Sequence, residues 1–133
     1  MGWSALLQSL DRLADSAEAS ALFAPLAEEE AEVAAFVFLD AEHRVLGMRE
    51  ERAGYRDRFD VPVRDVVADV LRLDARGVVM AHNHPSGNAT PSNADREATR
   101  LLARALDPLG VRLLDHLVVA RSGVTSFRAL GLL

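Results

Sequence analysis

Seven consecutive apolar residues, Val33 to Leu39, lie between Glu32 and Asp40, and no other feature restricts the fold so strongly. The run is far short of the ~20 residues that cross a bilayer. It also has no polar alternation, so neither face suits solvent. Such a segment reads as a strand buried on both sides, which calls for a sheet with layers packed over each face.

The rest of the chain supplies those layers. From Trp3 to about Asp15, Leu6, Leu10, Leu13 and Ala17 recur at helical spacing, which predicts a first helix. A second short helical piece is expected through Ala21, Leu22 and Phe23 before Pro25, and Glu28 to Glu30 reads as a solvated connection. After the buried strand, Asp40 to His43 turns the chain, Arg44 to Arg49 returns as a hairpin partner, and Gly54 marks a loop. Pro62 suits a helix start. Val66, Val67, Val70, Leu71 and Leu73 then follow helical spacing, with the helix expected to stop near Gly77. A strand from Val78 to Ala81 leads into a proline- and glycine-containing loop from His82 to Pro91, and Ser92 opens a helix that reaches about Leu109 before Gly110. Two β-prone stretches, Val111 to Leu114 and Leu117 to Ala120, a tight turn at Ser122-Gly123 and a closing element from Phe127 complete the chain. The expected fold is α/β, a mixed β-sheet with helices on both sides. Residues 1–27 form an N-terminal helical segment packed on a domain of residues 28–133.

Composition narrows the function. With 133 residues, one core is expected, and half the residues are apolar. There is no cysteine, which removes thiol nucleophiles, disulfides and Cys-ligated metal sites and leaves His, Asp and Glu as donors. The formal net charge of −5 disfavours general nucleic-acid binding. No membrane span and no positively charged, apolar leader are visible in the sequence, so a cytoplasmic location is the default expectation.

His82 and His84 flank one residue at the end of a predicted strand, so both imidazoles can leave the same side and meet at one ion. Histidines in loops are also commonly solvated or hydrogen-bonded, and the pair alone decides nothing. Asp95, eleven residues after His84, falls in the first turn of the next helix. Ser92-Asn-Ala-Asp95 also fits a helix-capping pattern, which accounts for Asp95 but not for the histidines. Two His and one carboxylate leave a fourth tetrahedral position open, as in catalytic zinc sites, and hydrolysis there needs a carboxylate base. Glu28, Glu29, Glu30 and Glu32 are the upstream candidates, and Glu32 alone stands at the mouth of an apolar strand.

His82-x-His84-Pro85, six residues, Ser92, two residues, Asp95 resembles the signature of the JAMM (MPN-type, JAB-domain) metalloproteases. The words His-Asn-His-Pro-Ser-Gly at 82–87, Thr90-Pro91-Ser92 and Leu113-Leu-Asp-His116 resemble its RadC-like branch, over roughly residues 30 to 131. The resemblance implies a cytidine-deaminase-like three-layer αβα fold, one zinc ion per chain held by His82, His84 and Asp95, and hydrolysis of a peptide or isopeptide bond. Glu32 takes the place of the family's base, eight residues before Asp40, and Ser92 that of the serine that steadies the tetrahedral intermediate. A protein or peptide substrate is implied, a ubiquitin-like conjugate among them, and homo-oligomerisation is left open. The alternative is a non-catalytic scaffold or DNA-repair-associated binding module. A nucleotide deaminase would carry a His-x-Glu and a Cys-x-x-Cys pattern, and both are missing here. Ala34 and Gly54-Tyr55 depart from the family pattern without touching the metal set. Asp115 and His116 are read either as groups that orient a ligand or as buried structural residues. His43, Arg64 and Trp3 are read as exposed, ion-pairing and packing residues respectively.

Overall fold

The computed structural model describes residues 11–13, 15–52 and 61–133. Trp3, most of the first predicted helix and Gly54-Tyr55 lie outside these. Helix α1 (Ser16–Phe23) is capped by Asp15, whose carboxylate accepts from the Glu18 N–H at 2.9 Å. A 3₁₀ turn, Ala24–Glu28, continues it with Pro25 in its first turn. Strands β1 (Val33–Leu39) and β2 (Val45–Arg52) form the hairpin. Helix α2 (Val63–Leu73), strand β3 (Gly77–Asn83), helix α3 (Asn93–Leu106), a 3₁₀ turn (Asp107–Leu109) and strands β4 (Arg112–Ala120) and β5 (Gly123–Ser126) follow.

The five strands lie in the order β2-β1-β3-β4-β5. Only β3 and β4 are parallel, joined through α3, so the sheet is mixed. All seven residues of β1 are buried, because its two faces meet different layers. Val33, Ala35, Val37 and Leu39 pack with Val79, Leu117 and α1 residues Leu22 and Phe23. Ala34, Phe36 and Phe38 pack with Met80, α2 residues Val66 and Val70, and α3 residues Leu102 and Leu106. The fold is therefore a three-layer αβα arrangement. At the β2 edge, Asp69 of α2 receives the Arg49 guanidinium, which holds its carboxyl below the usual carboxylate range and ties helix to strand. Among the described residues no helix is long and apolar enough to cross a membrane.

Three expectations need correction. Residues 11–13 are not helical: Arg12 forms an antiparallel bridge with Arg44, and the Leu13 N–H donates to the His43 carbonyl at 3.0 Å. Leu13 is still buried, through strand-like pairing rather than a helical face. Helix α2 stops at Leu73 rather than near Gly77, because Asp74 adopts a left-handed conformation (φ 51°) as its cap, and Gly77 already opens β3. The two β-prone stretches after Gly110 are one strand. A bulge at Leu114 sends Leu113 to one face and Asp115 to the other, so the period of two is broken within a continuous element.

Candidate metal centre

The site is built where β3 runs into α3, at the carboxyl end of a strand next to a helix N-terminus, where open α/β sheets commonly bind ligands. His82, expected to begin the loop, instead belongs to β3, which runs on through Asn83, and is 2% exposed, on the face covered by α2 and α3. Strand alternation turns Asn83 to the opposite face and His84 back to the first. The loop beyond closes on itself: the Gly87 N–H donates to the His84 carbonyl at 3.0 Å, with Gly87 at φ 91°, a conformation glycine adopts without strain. That turn leaves the Asn88 carbonyl 2.8 Å from His84 Nδ1.

Asp95 serves two purposes at once. It sits at the third position of α3 in a full capping box, its backbone N–H donating to Ser92 Oγ (3.0 Å) and its Oδ2 accepting from the Ser92 N–H (2.8 Å). Its two oxygens also lie 3.1 Å from His82 Nε2 and 3.1 Å from His84 Nε2, and the two Nε2 atoms are 3.0 Å apart. Capping does not exclude ligation here, because the capped carboxylate lies beside both imidazoles. The cap is what aims the carboxylate.

The hydrogen bonds around the rings fix their tautomers. Thr99 donates its hydroxyl proton to the Asp95 carbonyl at 2.7 Å, so it accepts from His116 Nδ1–H at 2.6 Å. Burial, with the nearby His82, pushes the pKa of His116 well down and keeps it neutral. Its Nε2 therefore accepts from His82 Nδ1–H at 2.7 Å. His84 Nδ1–H can only donate to the Asn88 carbonyl. Both ligand candidates thus turn an Nε2 lone pair inward, toward each other and toward a carboxylate. Only a cation, whether proton or metal ion, reconciles that crowding. The hydrogen bond to Asp95 raises the pKa of His84. Burial disfavours the Asp95 charge, but donation from His82 and His84 when their Nε2 atoms carry a proton holds the carboxyl well below the usual range. Proton and metal compete for the same lone pairs.

The donor set fits a tetrahedral ion. Bonds of about 2.0–2.1 Å to nitrogen or oxygen place neighbouring donors roughly 3.3 Å apart, close to the 3.0–3.1 Å found here. His82, His84 and Asp95 are the one group of three such donors among the described residues close enough to share an ion. Removing the support behind His82 should loosen the site without touching a ligand. His116→Phe leaves His82 Nδ1–H with no acceptor, and metal affinity is expected to fall about 10- to 100-fold, read by competitive zinc titration. An unchanged affinity would make His116 a packing residue stacked on Phe127.

Glu32 lies one residue before β1. The β1/β3 pairing ends at Ala34 and His82, two residues short of Glu32 along the chain. Burial raises its pKa, His82 and His84 lower it and Asp95 raises it, so its carboxylate shares the field of the three donors. Ser92 is exposed at the α3 cap, and its hydroxyl, while accepting from Asp95, keeps a proton to donate. Asp115 belongs elsewhere: it accepts from the His116 N–H, Ser126 Oγ and the Arg128 N–H, anchoring β5 and the final turn. His43, at φ 62°, and Asp115 line a cavity of about 290 Å³ that contains none of the three donors. Arg64 is exposed on the first turn of α2. Thr99 and Asn83 were not singled out from sequence. Thr99 stands four residues after Asp95, on the same helical face, and that spacing was the available signal.

A family model described as the RadC-like JAB domain matches residues 13–132. The chain belongs to the RadC-like JAB family. It is 47% identical to a UPF0758 protein of Methylibium petroleiphilum over 108 residues, 81% of this chain and 49% of that protein. It is 44% identical to a UPF0758 protein of Shewanella baltica over 110 residues, 83% of this chain and 49% of that protein. The chain thus spans about half the length of these curated relatives. Family membership and the site agree, since the matched region holds all three donors, Glu32 and Ser92.

Proposed function

We propose that this RadC-like JAB domain is a zinc-dependent peptidase that hydrolyses a peptide or isopeptide bond. The observation that carries the reading is the convergence of two imidazole Nε2 atoms and one carboxylate within 3.0–3.1 Å of one another, with the partly buried Glu32 near enough for all three residues to act on its carboxyl electrostatically. His82, His84 and Asp95 would hold the ion. When bound, zinc supplies a Lewis acid that polarises a carbonyl and brings the pKa of water to roughly 7. Glu32 takes the proton from the attacking water and returns it to the departing nitrogen. It suits that exchange because burial moves it toward neutrality while the imidazoles keep it ionisable. Ser92 donates its hydroxyl hydrogen to the oxyanion, and the capping box keeps it fixed beside Asp95.

The test is incubation of zinc-loaded protein with peptide libraries and with ubiquitin-like conjugates, following new amino termini or free amines by mass spectrometry. One zinc per chain is expected by elemental analysis, together with cleavage that a chelator abolishes and zinc restores. Stoichiometric zinc with no cleavage of any substrate class would favour a scaffold that has kept its metal.

A further inference from the structure

Asn83 separates the two histidines in sequence, yet its side chain points to the opposite face of the sheet and is buried, 1% exposed. The β1/β3 ladder reaches Ala34 and His82 and goes no further toward Glu32. Beyond that pair the Asn83 side chain bridges the gap. Its Oδ1 accepts from the Val33 N–H at 2.6 Å, and its Nδ2 donates to the Ala31 carbonyl at 2.9 Å and to the Glu29 carbonyl at 3.2 Å. The Ala31 carbonyl belongs to the peptide before Glu32 and the Val33 N–H to the peptide after it. One planar amide therefore grips both peptide groups that flank the Glu32 Cα.

We infer that Asn83 is a positioning residue: it locks the backbone on either side of Glu32 and so sets the distance of that carboxylate from the metal ligands carried by the same strand end. This inference rests on the reading of Glu32 as the base. The chemistry explains the residue type. The position needs an acceptor and two donors on one short, flat group, which asparagine supplies. Aspartate has no donors, glutamine is one methylene longer, and alanine would leave the buried Val33 N–H and the two carbonyls without this partner. Because Asn83 lies between His82 and His84, a movement of that strand end carries the two histidines and Glu32 together.

The inference is tested with Asn83→Ala, and with the shape-conserving Asn83→Asp in case the smaller residue prevents folding. Asp keeps the bond from the Val33 N–H and loses both donated bonds. Three readouts separate positioning from general loosening. Hydrogen exchange at the Val33 amide should accelerate in Asn83→Ala while the amides of Phe36 and Met80 stay protected, and zinc stoichiometry should remain one per chain. In cobalt-substituted protein the visible absorption should shift in the direction caused by Glu32→Gln, and the double variant should match Glu32→Gln alone. On any substrate the parent cleaves, kcat should fall by about 100-fold with KM little changed, as misplacement of a catalytic group by about 1 Å typically does, with a smaller loss for Asn83→Asp. In the Glu32→Gln background the substitution should cost nothing more. Unchanged Val33 exchange with a parental cobalt spectrum would overturn the inference, as would equal losses of kcat in both backgrounds. Should the parent cleave nothing, the hydrolase reading fails, and exchange and cobalt absorption still decide whether Asn83 positions Glu32.

Discussion

Glu32→Gln is expected to bind zinc as the parent does and to lose about 100- to 10,000-fold in kcat, the usual contribution of a positioned general base. The substitution preserves shape and hydrogen-bonding reach. It removes only the capacity to accept a proton from water and return it to the leaving group. Glu32 lies outside the donor triplet and senses it through electrostatics, with His82 and His84 lowering its pKa and Asp95 raising it. Its loss should therefore leave metal content alone. A variant that lost zinc would make Glu32 a fourth ligand. A variant that kept full turnover would move the base to Glu29 or Glu30. Of these, Glu29 is committed to Arg52, with contacts of 3.2 and 3.3 Å, and Glu30 is exposed.

The parts of this protein that were legible from sequence are those in which one local pattern has one physical solution. An unbroken apolar run of seven residues between charges, too short for an ordinary helix and rich in Val and Phe, suits a strand covered on both faces, and β1 is that strand. Ser92 and Asp95 stand at capping distance, and the cap is formed. What sequence concealed depends on partners remote along the chain. Asp115 and His116 interrupt an apolar stretch and read like a break between strands, but Ser126 and Arg128 satisfy one, and Thr99 and His82 the other. The periodic leucines before residue 15 suggested a helix, yet Leu13 is buried by pairing with the β1–β2 turn 30 residues later. Periodicity records that a side chain is buried, not which element buries it. The site divides the same way. Its three donor residues stand in a motif that resembles a family signature, whereas the relay from His82 through His116 and Thr99 to the Asp95 carbonyl, and the grip of Asn83 on the backbone around Glu32, span 17 to 52 residues or the turn of a helix.

Ser92 offers the second large effect, and the structure makes the contrast sharp because its hydroxyl has two separable uses. As a cap, its oxygen accepts the Asp95 N–H. As a donor, its proton is free to meet an oxyanion. Ser92→Ala removes both and is expected to lower stability by about 0.5–2 kcal/mol and kcat by about 100- to 1000-fold. Ser92→Gly separates the two, since glycine at an N-cap costs only a few tenths of a kcal/mol relative to serine and the extended backbone there (φ −83°, ψ 168°) suits it. Ser92→Gly should therefore unfold within a fraction of a kcal/mol of the parent in a denaturant titration, keep its zinc, and still lose as much kcat as Ser92→Ala. If catalysis instead tracked stability, with Ser92→Gly nearly as active as the parent, the hydroxyl would be there to hold Asp95 in place. Oxyanion stabilisation would then have to come from the metal and the backbone alone.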